Sequence, residues 1–132
     1  MRILGVDHGT RRIGLAISDE TGTVAQGIGY VGTLAEVLRV AAERGAGRIV
    51  VGVPRRLDNT ASEQTERALA FIAALQAQTT LPVEGWDERL TTAQAERVLL
   101  EGNVRRAERK HKRDQLAAQL LLQSYLDAHA AL

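Results

Sequence analysis

A five-stranded mixed α/β sheet with helices on both faces is the fold this sequence predicts, and two observations predict it. Residues 2–31 read as short alternating runs separated by Gly-bearing turns. From residue 33 onward, helix-period segments alternate with short apolar runs. Hairpin-connected strands are antiparallel, and the later crossovers lay their strands parallel beside the first.

The elements follow in order. Residues 2–7 form a first strand that stops at Asp7-His8-Gly9. Residues 12–19 form a second, in which Ile13, Leu15 and Ile17 alternate with Gly14, Ala16 and Ser18. The turn Glu20-Thr21-Gly22-Thr23 leads into a third strand near residues 24–31, weakened by Gly27 and Gly29. Residues 33–44 have helical spacing, with Leu34, Val37, Leu38 and Ala41 on one face. Thr33 with Glu36 three residues on marks the start of that helix, and Gly45 its end. Residues 48–53 are a short apolar strand ended by Pro54. A long helix covers residues 62–77, with Thr65, Leu69, Ile72, Ala73 and Gln76 expected on its inner side. Residues 81–86 are the fifth strand, and residues 91–101 a helix stopped by Gly102. A basic loop follows, then a last helix over residues 113–128.

A chain of 132 residues with 45% hydrophobic and 25% charged residues is one globular domain, spanning residues 1–132. It has no cysteine, which excludes disulfides, thiolate metal sites and cysteine nucleophiles. No apolar run reaches the roughly 18 residues of a membrane helix, and the early charges at Arg2 and Asp7 do not suit a signal peptide. These features predict a cytoplasmic protein without a membrane partner. Net charge is +1, so there is no global polyelectrolyte signal. Locally, Arg105, Arg106, Arg109, Lys110, Lys112 and Arg113 face only Glu108, an excess of +5. Such a run is a solvated segment unless an anion binds beside it.

Three acidic positions stand where chemistry is expected. Asp7 ends strand one, and Asp87 and Glu88 directly follow strand five. In open α/β sheets, sites lie outside the carboxyl ends of parallel strands, so Asp7, Pro54 and Glu88 should share one rim. Asp114 heads the stripe Ala117, Ala118, Leu121 and Tyr125 on the last helix. It is either a helix-starting acid or a third ligand. Converging carboxylates suit hard cations such as Mg²⁺ or Mn²⁺, and two such ions can activate a water and stabilise a leaving oxygen. Gly9, Thr10, Arg11 and Arg12 form a phosphate-friendly turn or an ordinary hairpin connection. Arg89 suits either a phosphate or an ion pair, and Thr91 and Thr92 suit a helix cap. His8 should point away from Asp7 by strand alternation; His111 and His129 read as structural or exposed. Trp86 reads as core. With 3% aromatics there is no stacking platform of the single-strand-binding kind.

The run from Ile3 to Asp19 closely resembles the opening of the YqgF/RuvX proteins. So do Val50-Val51-Gly52-Val53-Pro54, Asp87-Glu88-Arg89-Leu90-Thr91-Thr92, and Lys110-x-Lys112-x-Asp114 followed by Ala117-Ala118. The resemblance covers nearly the whole chain, in order. Those proteins are bacterial RNase H-like nucleases described as acting on pre-16S rRNA or on Holliday junctions. The resemblance implies an RNase H-like fold and a divalent-metal-dependent nuclease of structured RNA or DNA. It implies Asp7, Glu88 and Asp114 as catalytic and metal-binding acids, with Asp7 shared between two Mg²⁺ or Mn²⁺ ions. Thr10, Arg11, Arg12, Arg89, Arg105, Arg106, Arg109, Lys110 and Lys112 are then the nucleic-acid-binding candidates. One departure is Asp58-Asn59, where family members usually have Asp-Gly; Arg55-Arg56 make that loop more basic. Two other readings compete. One is a non-catalytic nucleic-acid-binding factor of ribosome maturation. The other is an actin-like phosphotransferase, which lacks its second phosphate loop here. Symmetric junction cleavage needs a homodimer; other cleavage is open to a monomer.

Overall fold

A computed structural model describes residues 1–9, 11–55, 58, 60–90 and 106–130, with side chains in the last stretch from 116 to 129. Its five strands are β1 (Arg2–His8), β2 (Ile13–Ser18), β3 (Ala25–Val31), β4 (Ala46–Val53) and β5 (Val83–Asp87). They form one sheet in the order β3-β2-β1-β4-β5. The pairs β1–β2 and β2–β3 are antiparallel, and β1–β4 and β4–β5 are parallel, which is the predicted meander-then-crossover arrangement. Among the described residues the helices are α1 (Leu34–Glu43), α2 (Glu63–Gln78) and α3 (Arg106–Ala130), with a short 3-10 turn at Glu88–Leu90.

Strand alternation divides the core into two layers. Leu4, Val6, Ile49, Val51 and Val53 face α1 and α2, where Val37, Ala41, Phe71, Ile72 and Leu75 cover them. Ile3 and Val50 face the other way, against Ala118, Leu122, Tyr125 and Leu126 of α3. The approach of α3 depends on Gly5: a Cβ there would lie 2.8 Å from Leu122 Cβ and 3.4 Å from the Ala118 carbonyl oxygen.

Local signals explain the ends of α1. Thr33 Oγ1 accepts the Glu36 N–H at 3.2 Å, and Gly45 takes φ +67 just past the last turn. In α2 the buried side is Thr65, Ala68, Phe71, Ile72 and Leu75. Leu69 is exposed, so the expected stripe was rotated off the true one. Ile72 belongs to both stripes, and so does Thr65. It is wholly buried because its hydroxyl accepts the Ser62 N–H at 2.9 Å and donates to the Pro54 carbonyl. A satisfied polar residue therefore occupies a core position.

Two of the boundaries that differ from expectation bear on the site. Strand β5 includes Asp87, so Glu88 begins the 3-10 turn. Helix α3 starts at Arg106, not near residue 113, so the basic stretch is helical from that point and not a loop. Arg, Lys, Glu and Ala favour helix, and no Gly or Pro follows Gly102. The helix expected over residues 91–101, and Arg105, lie outside the described residues.

Along β3 the sheet ends. Its Ala25 and Gly27 N–H groups donate to the Gln123 and Gln119 side chains at 2.8 and 3.2 Å. Gln119 and Gln123 are one helical turn apart and match alternate strand residues. Opposite Leu15 and Ala16, Ile28 is an extra residue, and Gly29 takes φ +106 to accommodate it. No helix among the described residues is long and apolar enough to cross a membrane.

Candidate active site

The carboxyl ends of β1, β4 and β5 lie side by side, and a cavity of about 630 Å³ opens over them. Asp7, His8, Gly9, Arg11, Pro54, Gln64, Arg67 and Glu88 line it. The predicted rim of Asp7, Pro54 and Glu88 is thus brought together. Asp7 follows the alternation of Ile3 and Gly5 and lies on the α3 side, opposite Gly14 of β2.

Glu88 returns over the end of β4 and hydrogen-bonds Asp7. Room for it comes from Gly52, whose Cβ would lie 2.8 Å from Glu88 Cγ and Cδ and nearer still to Oε1. Burial, the Asp7 hydrogen bond and the Asp7 charge push the Glu88 carboxyl up, to about 9. The raised Glu88 carboxyl keeps its proton beside Asp7. Their oxygen donors fit a hard divalent ion, which would replace that proton.

Asp87 and Glu88 have different work. Asp87 Oδ1 accepts the Arg89 N–H at 2.9 Å, and its Oδ2 pairs with Arg89 Nη2 at 2.6 Å. That bond to Arg89 holds Asp87 below the ordinary carboxylate range, against partial burial. Asp87 therefore ties the 3-10 turn that carries Glu88. Asp87→Asn should keep cleavage and lose about 1 kcal/mol in urea unfolding, while Glu88→Gln should lose cleavage. The reverse pattern would transfer the site to Asp87.

The basic candidates separate. Arg11 borders the cavity. Arg12 lies with its guanidinium 5.1 Å from the centre of the Tyr30 ring, and Arg89 is engaged by Asp87. Gly9 is needed for the hairpin itself, since a Cβ would lie 2.8 Å from the Arg12 carbonyl oxygen. Thr10 is outside the described residues. Arg106, Arg109, Lys110, Lys112 and Asp114 lie on the backbone of α3, and their side chains are outside the described set. Helix α3 runs opposite to β1, as Gln123 and Gln119 meet Ala25 and Gly27 in reverse order. From Ala118, over Gly5, one turn toward its start is about 6 Å, or two strand residues, which brings backbone position 114 level with Asp7.

The sequence did not single out Gln64, Arg67 or a paired role for His8. His8 stacks on Phe71 with centroids 4.3 Å apart, on the α2 side as alternation requires. Burial keeps its imidazole below the ordinary value, against the pull of Asp7. Trp86 packs edge-on to Tyr125 and donates to Ser124 Oγ at 3.1 Å, and His129 stacks on Tyr125.

Residues 1–128 match the RuvX family, described as Holliday junction resolvase. A protein of Symbiobacterium thermophilum named "Putative pre-16S rRNA nuclease" is 45% identical, over 99% of this chain and 95% of its own length. One of the same name from Pelotomaculum thermopropionicum is 41% identical, over 97% and 88%. Among solved structures, Thermus thermophilus RuvC bound to a Holliday junction substrate superposes with a TM-score of 0.60. It is 20% identical, over 99% of this chain and 96% of that one, and supports the fold alone.

Proposed function

The chain belongs to the RuvX family, and from that premise we propose that it is a nuclease hydrolysing phosphodiester bonds of structured RNA or DNA, with residues 1–132 acting as one domain. The observation that carries this reading is the hydrogen-bonded Asp7–Glu88 pair at the ends of parallel strands, beside Arg11. Asp7, Glu88 and Asp114 would hold Mg²⁺ or Mn²⁺, as one or two ions. Bound there, the metal supplies an activated water and charge stabilisation for the leaving oxygen. The level of position 114 on α3 supports Asp114 as the third acid. Asp7 and Glu88 would hold the metal beside the scissile phosphate, and Asp87 positions Glu88 through the turn it ties. Arg11 and the basic first turns of α3 orient the backbone.

The names of its relatives favour an rRNA precursor as substrate, and the junction-bound neighbour offers a four-way junction as the alternative. The test is cleavage of matched substrates in Mg²⁺ and in Mn²⁺: a precursor with extended ends, a junction, a duplex and single strands. Absence of metal-stimulated cleavage on all four would refute the nuclease reading.

The basic stretch contacts backbone and reads no bases, since its cations carry no pattern of aromatic or amide partners. Arg105→Glu with Arg106→Glu should weaken binding of all sequences alike. The slope of log affinity against log salt should fall by about one unit per lost phosphate contact. An unchanged slope would make the stretch only a solvated face.

A further inference from the structure

The cavity at the rim has a second half, of which this chemistry uses only Arg11. The carboxylates belong to the α3 side, whereas the His8 ring lies on the α2 side, half-buried and backed by Phe71. Gln64 and Arg67 from α2 and Arg11 from the hairpin complete that half. We propose that it is a subsite for one unpaired nucleotide of the cut strand, its base stacked on His8 and its backbone held by Arg11 and Arg67. The proposal rests on the nuclease reading of the same rim.

The parts suit that ligand. A ring fixed against buried Phe71 offers a rigid stacking surface, and stacking is tolerant of base identity. The Gln64 amide offers both a donor and an acceptor for a base edge. Guanidinium groups match phosphate oxygens. Among the described residues Arg67 has one ion pair, a 3.3 Å contact to exposed Glu63, which is an exchangeable surface pair. Arg11 is exposed and makes no ion pair among the described residues. The volume of about 630 Å³ falls in the range of small-ligand sites. His8 and Asp7 are chain neighbours, so the subsite adjoins the scissile phosphate. A base inside a continuous duplex is covered on both faces and reaches His8 only by leaving the stack. The rim therefore selects a single-stranded extension or a branch point over uninterrupted duplex. Thr65 anchors this wall, since its hydroxyl fixes the first turn of α2 to Pro54.

The test uses 5-iodouracil, which crosslinks on irradiation to a ring it stacks on. It is placed at the first unpaired nucleotide of an RNA duplex with an extension, at the branch point of a DNA four-way junction, and inside a continuous duplex. Complexes form in Ca²⁺, and adducts are mapped by mass spectrometry. The expected result is an adduct on His8 at least tenfold above the continuous duplex, lost in His8→Ala and kept in His8→Phe. An adduct in one arm alone supports the subsite and names its source, RNA extension or DNA branch. No His8 adduct in either arm, or equal yield in His8→Ala and wild type, overturns it. Cleavage in Mn²⁺ is read on the same substrates. Cleavage without the adduct removes the subsite and leaves the nuclease; the adduct without cleavage on any substrate overturns the nuclease reading and with it a subsite for a cut strand, leaving a nucleotide-binding rim.

Discussion

Asp7→Asn is expected to lower cleavage about a thousandfold or more and to raise the stability of the metal-free protein. The first effect follows from removing a carboxylate shared by the reacting centre. Several kcal/mol of transition-state stabilisation depend on the ion held there, and about 4 kcal/mol is a factor of a thousand. The second follows from Glu88. Its folded pKa, about 9, lies above the unfolded value. The fold therefore holds a proton that the unfolded chain has released. The associated stability is complete below the unfolded carboxylate pKa and is lost as pH rises toward 9. Removing the Asp7 charge relieves part of that loss, while burial of Glu88 keeps the rest. A gain of about 1–2 kcal/mol at pH 8 in EDTA is expected, with a flatter dependence of stability on pH. Melting curves from pH 5 to 9 and a metal-dependent cleavage assay measure both. Near-normal turnover in the variant would take Asp7 out of the reaction.

Gly52→Ala should separate fold from function in the opposite way. The new methyl group would occupy the place of the Glu88 side chain, within 2.8 Å of Cγ and Cδ. The neighbour is a side chain and not backbone, so Glu88 can swing out and the sheet survives. The stability change should stay near or below about 1–2 kcal/mol. Cleavage should fall about a hundredfold, because Glu88 no longer meets Asp7. A Gly52→Ala enzyme that melts normally and cuts normally would mean that Glu88 works from somewhere other than its place over Gly52.

Much of this architecture was legible in the chain, and the exceptions have physical causes. The alternation in β2 and the Thr33–Glu36 and Gly45 signals around α1 act over a few residues, so local pattern finds them. The expected stripe of α2 contains Thr65 and Ile72, which are buried, but takes Leu69, Ala73 and Gln76 in place of Ala68, Phe71 and Leu75, because helical spacing alone does not choose between the two flanks of the line from 65 to 72. What buries Thr65 is a hydrogen bond to Pro54, eleven residues away. The start of α3 was hidden by charge: six cations look like a solvated loop although their helix propensity is high. Strand ends pointed to Asp7 and Glu88, and family likeness chose between Asp87 and Glu88. His8 with Phe71, and Arg67 with the rim, are pairings across some sixty residues. They leave no local trace.

The glutamines along β3 carry a consequence for assembly. An unprotected edge strand is a template on which another chain can extend the sheet. Here Gln119 and Gln123 already fill the outward donors of Gly27 and Ala25. An incoming strand would have to strip both amides away, at about 1 kcal/mol each, and then follow an edge distorted by the Ile28 bulge. At these two positions the edge is occupied by its own helix. Two copies of this protein therefore cannot pair backbone to backbone at Ala25 and Gly27 without first displacing both amides, and the same two amides guard this stretch of edge against runaway stacking into fibrils.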